Sequence, residues 1–167
     1  MIQNILIGLV LLSSINTSLS ADETLSTLNG IEIPKNYKNW RLIGSSHRLD
    51  KGSLRVILGN TTAIRAARSG KTASWPDGTI LAKLVWKDGI HPNWDKAIVP
   101  SEFQHAEFMI KDARKYQKTG GWGFARWVGM ALKPYGADAE SADQECFACH
   151  TSVKSNDYVF TRPAELP

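Results

Sequence analysis

The chain has 167 residues, 43% hydrophobic, 22% charged and 9% aromatic, with two cysteines and six tryptophans. That length suits one domain, and the composition excludes a disordered tail, a collagen, a coiled coil and a polytopic membrane protein. Twenty Lys and Arg against 16 Asp and Glu give +4, scattered rather than clustered, so nucleic acid is not an expected partner.

Residues 1–20 carry no charged side chain. The apolar run Ile5 to Leu12 is too short for a bilayer, which needs about 20 residues. Ser18 and Ser20 sit three and one residues before a cleavage point ahead of Ala21. A secretory signal peptide is predicted over 1–20, although its start lacks the usual Lys or Arg, with a short unstructured leader as the alternative. The mature domain, 21–167, is then periplasmic and without a membrane span.

Beyond Pro34-Lys35-Asn36-Tyr37, Trp40–His47 and Leu54–Leu58 read as strands joined across Asp50-Lys51-Gly52. Asn60 is a helix N-cap, Thr61–Ser69 a short helix and Gly70 its C′ residue. Pro76-Asp77-Gly78 is a turn into a strand over Thr79–Lys87, and Phe103–Ile110 is another strand. Asp112 caps a short helix through Gln117, which Gly120-Gly121 breaks before a strand over Trp122–Met130. Pro134 and a helix carrying the cysteines follow, their motif ending the helix-like segment Asp138–Glu145. Without a βαβ rhythm, the expected class is α+β: mainly antiparallel sheet with short helices and a C-terminal C-x-x-C-H segment.

Both cysteines lie in Cys146-Phe147-Ala148-Cys149-His150. A thioredoxin-like pair would follow a strand and precede a helix, and a zinc site would need a second pair of ligands; neither pattern is present. C-x-x-C-H sets two thiols one helical turn apart, where both can add to haem vinyl groups with the next imidazole under the iron. The reading is one covalent haem c on Cys146 and Cys149 with His150 as the axial iron ligand, and a bare disulfide as the alternative.

These residues resemble the cytochrome P-460 family, which includes the beta-type cytochromes c′. The resemblance spans the mature chain: Pro34-Lys35-Asn36-Tyr37 with Trp40, Asp77-Gly78-Thr79 leading to Lys83, Lys111-Asp112-Ala113, Gly121-Trp122-Gly123-Phe124, and the haem motif followed by Tyr158-Val159-Phe160-Thr161. It implies a dimer of mainly antiparallel sheet, an open distal haem side, and chemistry on hydroxylamine or nitric oxide. In the catalytic members a lysine at the spacing of Lys83 bonds to the porphyrin edge.

Strand alternation sets Thr79, Leu81, Lys83 and Val85 on one face. The half-apolar face lets Lys83 lean across a flat ligand; the plainer alternative is a snorkelling lysine on a solvated face. Glu107, sharing a face with His105, is a candidate proton acceptor or else a surface salt-bridge partner. His47, His91, His105, Met109 and Met130 are candidate sixth ligands or ordinary core and surface residues. Phe103, Phe108, Phe124 and Trp75 are candidates for an apolar pocket wall or for core. Three functions stay open: a haem oxidoreductase oxidising hydroxylamine, a nitric-oxide-binding protein without turnover, and an electron carrier that needs a sixth ligand. The expected partners are a small nitrogenous molecule, a redox protein and a second copy of the chain.

Overall fold

Six strands follow one another in chain order across a single antiparallel sheet: β1 (Arg41–Arg48), β2 (Ser53–Gly59), β3 (Ile80–His91), β4 (Trp94–Lys111), β5 (Trp122–Val128) and β6 (Lys133–Pro134). A computed structural model describes residues 27, 29–136, 139–165 and 167, the side chains of 139–143 excepted. The leader over 1–20 lies outside the described residues. Among the described residues, two α-helices, α1 (Thr61–Arg68) and α2 (Ala139–His150), complete the α+β architecture. Neither is long and apolar enough to cross a membrane.

Local chemistry explains α1. Asn60 Oδ1 accepts the Ala63 amide at 2.9 Å, capping the helix, and Gly70 leaves it in the left-handed region at φ +68°. The same oxygen accepts the Ile80 amide while Asn60 Nδ2 donates to the Gly78 carbonyl, so one side chain ties the helix start to the entry of β3.

Two regions depart from the sequence reading. The β3–β4 hairpin runs well past Lys87 and starts well before Phe103, because pairing continues through register shifts after Val85 and Trp86 that break the period-two pattern. Ser101 Oγ closes this irregular stretch by donating to the carbonyls of Lys87 and Asp88. Asp112 caps as expected, accepting from the Arg114 and Lys115 amides. Beyond that cap the chain makes a run of turns with a single 3-10 turn over Gln117–Thr119 rather than a helix through Gln117, since Gly120 and Gly121 both take positive φ. The helix expected to carry the cysteines is α2, which takes their motif to His150.

The sheet is covered on both faces. Ile43, Ile57, Leu81, Trp75, Trp122, Phe124 and Val159 form one cluster with Ala63 and Ile64 of α1. Tyr37, Ala82, Ala106, Phe108 and Trp127 form the other, beneath the N-terminal segment. Successive residues of β3 thus serve opposite clusters, and the first face is the one that opens into the site.

Candidate functional site

Strand register writes the face of the site in rows. Leu81, Met109 and Phe124 stand opposite one another across β3, β4 and β5. The next row is Ile57, Lys83, Glu107 and Arg126, and the one after holds Arg55, Val85 and His105. An apolar floor therefore gives way to a charged row two residues along. This face, the end of α2 and Val159–Arg162 bound a cleft of about 1050 Å³, at the upper end of the roughly 300–1,000 Å³ common for small-molecule sites.

Two cations, Lys83 and Arg126, and the His105 ring converge on Glu107, whose side chain is 16% exposed. Arg126 Nε donates to Oε1 at 2.9 Å, His105 Nε2 lies 3.2 Å from the same oxygen, and Lys83 Nζ pairs with Oε2. Burial alone would raise this carboxyl, but the His105 hydrogen bond and the charges of Lys83 and Arg126 outweigh it and hold it well below the usual carboxylate range. Arg126 also lies over the Tyr135 ring, 4.5 Å from its centre, and the Tyr135 hydroxyl donates to Glu145 of α2 at 3.2 Å.

His150 closes α2 with its ring 5.0 Å from that of Phe124 and 5.1 Å from that of Phe160. Its Nδ1 lies 2.6 Å from the Tyr158 carbonyl. A carbonyl can only accept, so Nδ1 carries the proton and Nε2 keeps a lone pair. Burial pushes the imidazole pKa down, favouring this neutral form. Cys146 and Cys149 are free thiols lining the same cleft, and burial pushes the Cys146 thiol up to about 11.

Of the residues singled out from sequence, Lys83, Glu107, His105, Met109, Phe124, Cys146, Cys149 and His150 meet in this cleft, which Phe108 also lines although its ring packs in the second cluster. The others stand elsewhere. His47 pairs with Asp88 at 2.6 Å on the sheet, His91 ends β3 at the hairpin turn with Nδ1 accepting the Asn93 amide, and Met130 is 81% exposed. Trp75 is buried in the first cluster, Phe103 packs on Trp86, and the Phe108 ring sits between Tyr37 and Trp127 in the second. Sequence reasoning did not single out Arg126, Arg55 or the Tyr158 carbonyl as parts of the site. The first two become visible only when strand register is known, and a backbone carbonyl has no sequence signal.

The Cytochrome P460 family model matches residues 34–161, and the chain belongs to that family. A search of curated proteins finds no match. A cytochrome of this family carries haem, and the residues of the cleft suit one. Two thiols and an imidazole with a free lone pair share the end of one helix, and Leu81, Val85 and Phe124 supply apolar wall. Arg55 lines the same cleft with its buried Nε lacking a hydrogen-bond partner among the described residues, a vacant donor suited to a carboxylate.

Proposed function

We propose that this chain is an exported mono-haem c-type cytochrome that takes small nitrogen compounds, hydroxylamine or nitric oxide, at an open distal side. Haem supplies an iron centre for one-electron chemistry and for binding a small ligand. Cys146 and Cys149 hold it by adding S–H across two vinyl groups, which forms S–C bonds and places each hydrogen on the neighbouring vinyl carbon, with no oxidant consumed. His150 presents Nε2 to the iron, and Arg55 takes a propionate. The leader over 1–20 is removed on export to the periplasm, and the mature protein works as a homodimer with a redox partner.

One observation carries the open-site reading: each candidate sixth ligand is paired, lies outside the cleft or stands on the His150 side. Met109 stands in register with Phe124, the residue against which His150 packs, and so belongs to the His150 side. His105 and His47 spend their Nε2 atoms on Glu107 and Asp88. His91 and Met130 do not line the cleft. The charged row of Lys83, Glu107 and Arg126 is then the polar surface offered to a bound nitrogen compound. Glu107 stays ionised beside that surface, and the charges of Lys83 and Arg126 that keep it so make it a weak proton acceptor.

The pairing of Lys83 with Glu107 favours a second reading, a nitric-oxide-binding protein without turnover. An ammonium engaged by a carboxylate has no lone pair with which to bond to a porphyrin edge. The experiment compares wild type with Lys83→Met after peroxide treatment, by spectrum, haem-peptide mass and hydroxylamine turnover. A second haem linkage and turnover in wild type alone mark the enzyme. Neither, with nitric oxide affinity that changes in Lys83→Met, marks the binding protein. A wild-type spectrum that is low-spin and indifferent to nitric oxide overturns both. Intact mass of the exported protein is expected at residues 21–167 plus one haem, and His150→Ala is expected to keep that mass while losing the native spectrum.

A further inference from the structure

The turn that hands the Tyr158 carbonyl to His150 is clamped from two sides. Asp157 and Tyr158 are consecutive non-glycine residues in the left-handed region, at φ +48° and +63°. Only surroundings that over-determine such a turn keep it. Asp157 is its anchor: Oδ2 accepts the Trp75 amide at 2.7 Å and Oδ1 accepts from Lys111 Nζ at 2.7 Å. The Asp157 and Lys111 side chains are each only 10% exposed. Lys111 ends β4, donates also to the Gly120 carbonyl at 3.3 Å and lies 4.9 Å from the centre of the Trp122 ring. On the other side the Tyr158 ring rests on Gly120, where a Cβ would come within 2.3 Å of Cε2, and faces Phe147 of α2 with ring centres 5.3 Å apart.

We infer that the buried Asp157–Lys111 pair is a positioning device for His150, fixing the Tyr158 carbonyl so that it holds the imidazole by Nδ1–H and sets how strongly Nε2 donates. The proposal rests on His150 being the axial ligand and adds the residues that tune it. A short Nδ1–H bond to a fixed acceptor gives the ring imidazolate character, makes Nε2 a stronger donor and favours the ferric state. Freeing the carbonyl lengthens that bond and weakens the donor. Neither Asp157 nor Lys111 lines the cleft, so each acts through the carbonyl alone.

The experiment uses the haem-loaded protein. Lys111→Met and Asp157→Asn are expected to retain the haem mass yet raise the iron midpoint potential and lower the iron–histidine stretching frequency of the ferrous form. Lys111→Arg, which keeps the charge, is expected to return both towards wild type. A single variant that strands one buried charge can fail to fold, so the double variant Lys111→Met/Asp157→Asn, which strands none, is measured beside them and is expected to show the same two shifts. In wild type the His150 Nδ1 proton is expected to exchange slowly with solvent. Variants that lose thermal stability with potential and stretching frequency unmoved, or a rapidly exchanging Nδ1 proton, overturn the positioning role. A native spectrum in His150→Ala overturns instead the ligand assignment on which it stands, so the two failures are distinguishable.

Discussion

At Glu107 two cations that would otherwise repel one another, Lys83 and Arg126, share a single carboxylate with the His105 ring, and the arrangement holds only while the carboxylate is charged. Glu107→Gln leaves Lys83, His105 and Arg126 facing one another, with 29%, 27% and 26% of their side chains exposed. The expected cost is about 3 kcal/mol, the low end for breaking a buried pair, because the partners keep some water. The pH dependence comes from the lowered carboxyl. Its stabilisation is fully present above the ordinary value of 4.5 and is lost as pH falls through the lower folded value. Urea midpoints taken down an acid series should therefore show the wild-type advantage over Glu107→Gln shrinking below about pH 4.5. A constant gap would mean that the charge is not what stabilises. Cys146, Cys149 and His150 are legible in the sequence because their spacing is itself the chemistry. Lys83 falls on the correct face because alternation on β3 is clean, while its row neighbour Arg126 lies 43 residues further along and meets it only through two strand registers.

Among the elements, α1 is readable nearly to the residue because its signals are local: an Asn cap, a short run of helix formers and a closing glycine. Asn60 does more than cap, and that surplus is testable. Asn60→Ala removes the acceptor for the Ala63 and Ile80 amides and the donor to Gly78. It is expected to cost about 2 kcal/mol, one for the cap and one for the strand tie. Asn60→Asp keeps the acceptor and should fall between the two. The check is a shift in the denaturant midpoint with an unchanged slope. The hairpin of β3 and β4 reads too short in the sequence for the opposite reason. Asp88, Gly89 and Pro100 look like strand breakers in isolation, yet each sits in a paired register position that the partner strand supplies. The turns over 112–116 resemble a helix in sequence because a capping Asp says where hydrogen bonds begin, not how far they propagate.

For the whole molecule, the meander arises because consecutive strands pair even where the link between β2 and β3 holds α1, and the α+β class is accessible from the absence of crossovers. The cleft is not, since its walls come from β1 through β5, the end of α2 and a C-terminal strap that no periodicity marks. That strap is fastened where β1 carries its irregularity between Leu42 and Gly44. The Ala164 amide donates to the Ile43 carbonyl at 2.7 Å, and the Arg162 carbonyl approaches so closely that a Cβ on Gly44 would lie 2.8 Å from it and 3.1 Å from Thr161 Cγ2. Gly44 is thus required for its lack of bulk, its φ lying outside the left-handed region. Gly44→Val must push the strap outward, at an expected cost of about 1–3 kcal/mol for forcing side-chain atoms into a filled contact. Since Val159 to Arg162 line the cleft and Phe160 packs on His150, the displacement should reach the site. Hydrogen exchange across residues 159–164 should quicken in Gly44→Val while that of β3 and β4 stays at the wild-type rate, and the haem absorbance should change with it. If the tail instead exchanges as in wild type, the contact at Gly44 does not hold the strap, and the cleft is closed by α2 and the sheet alone.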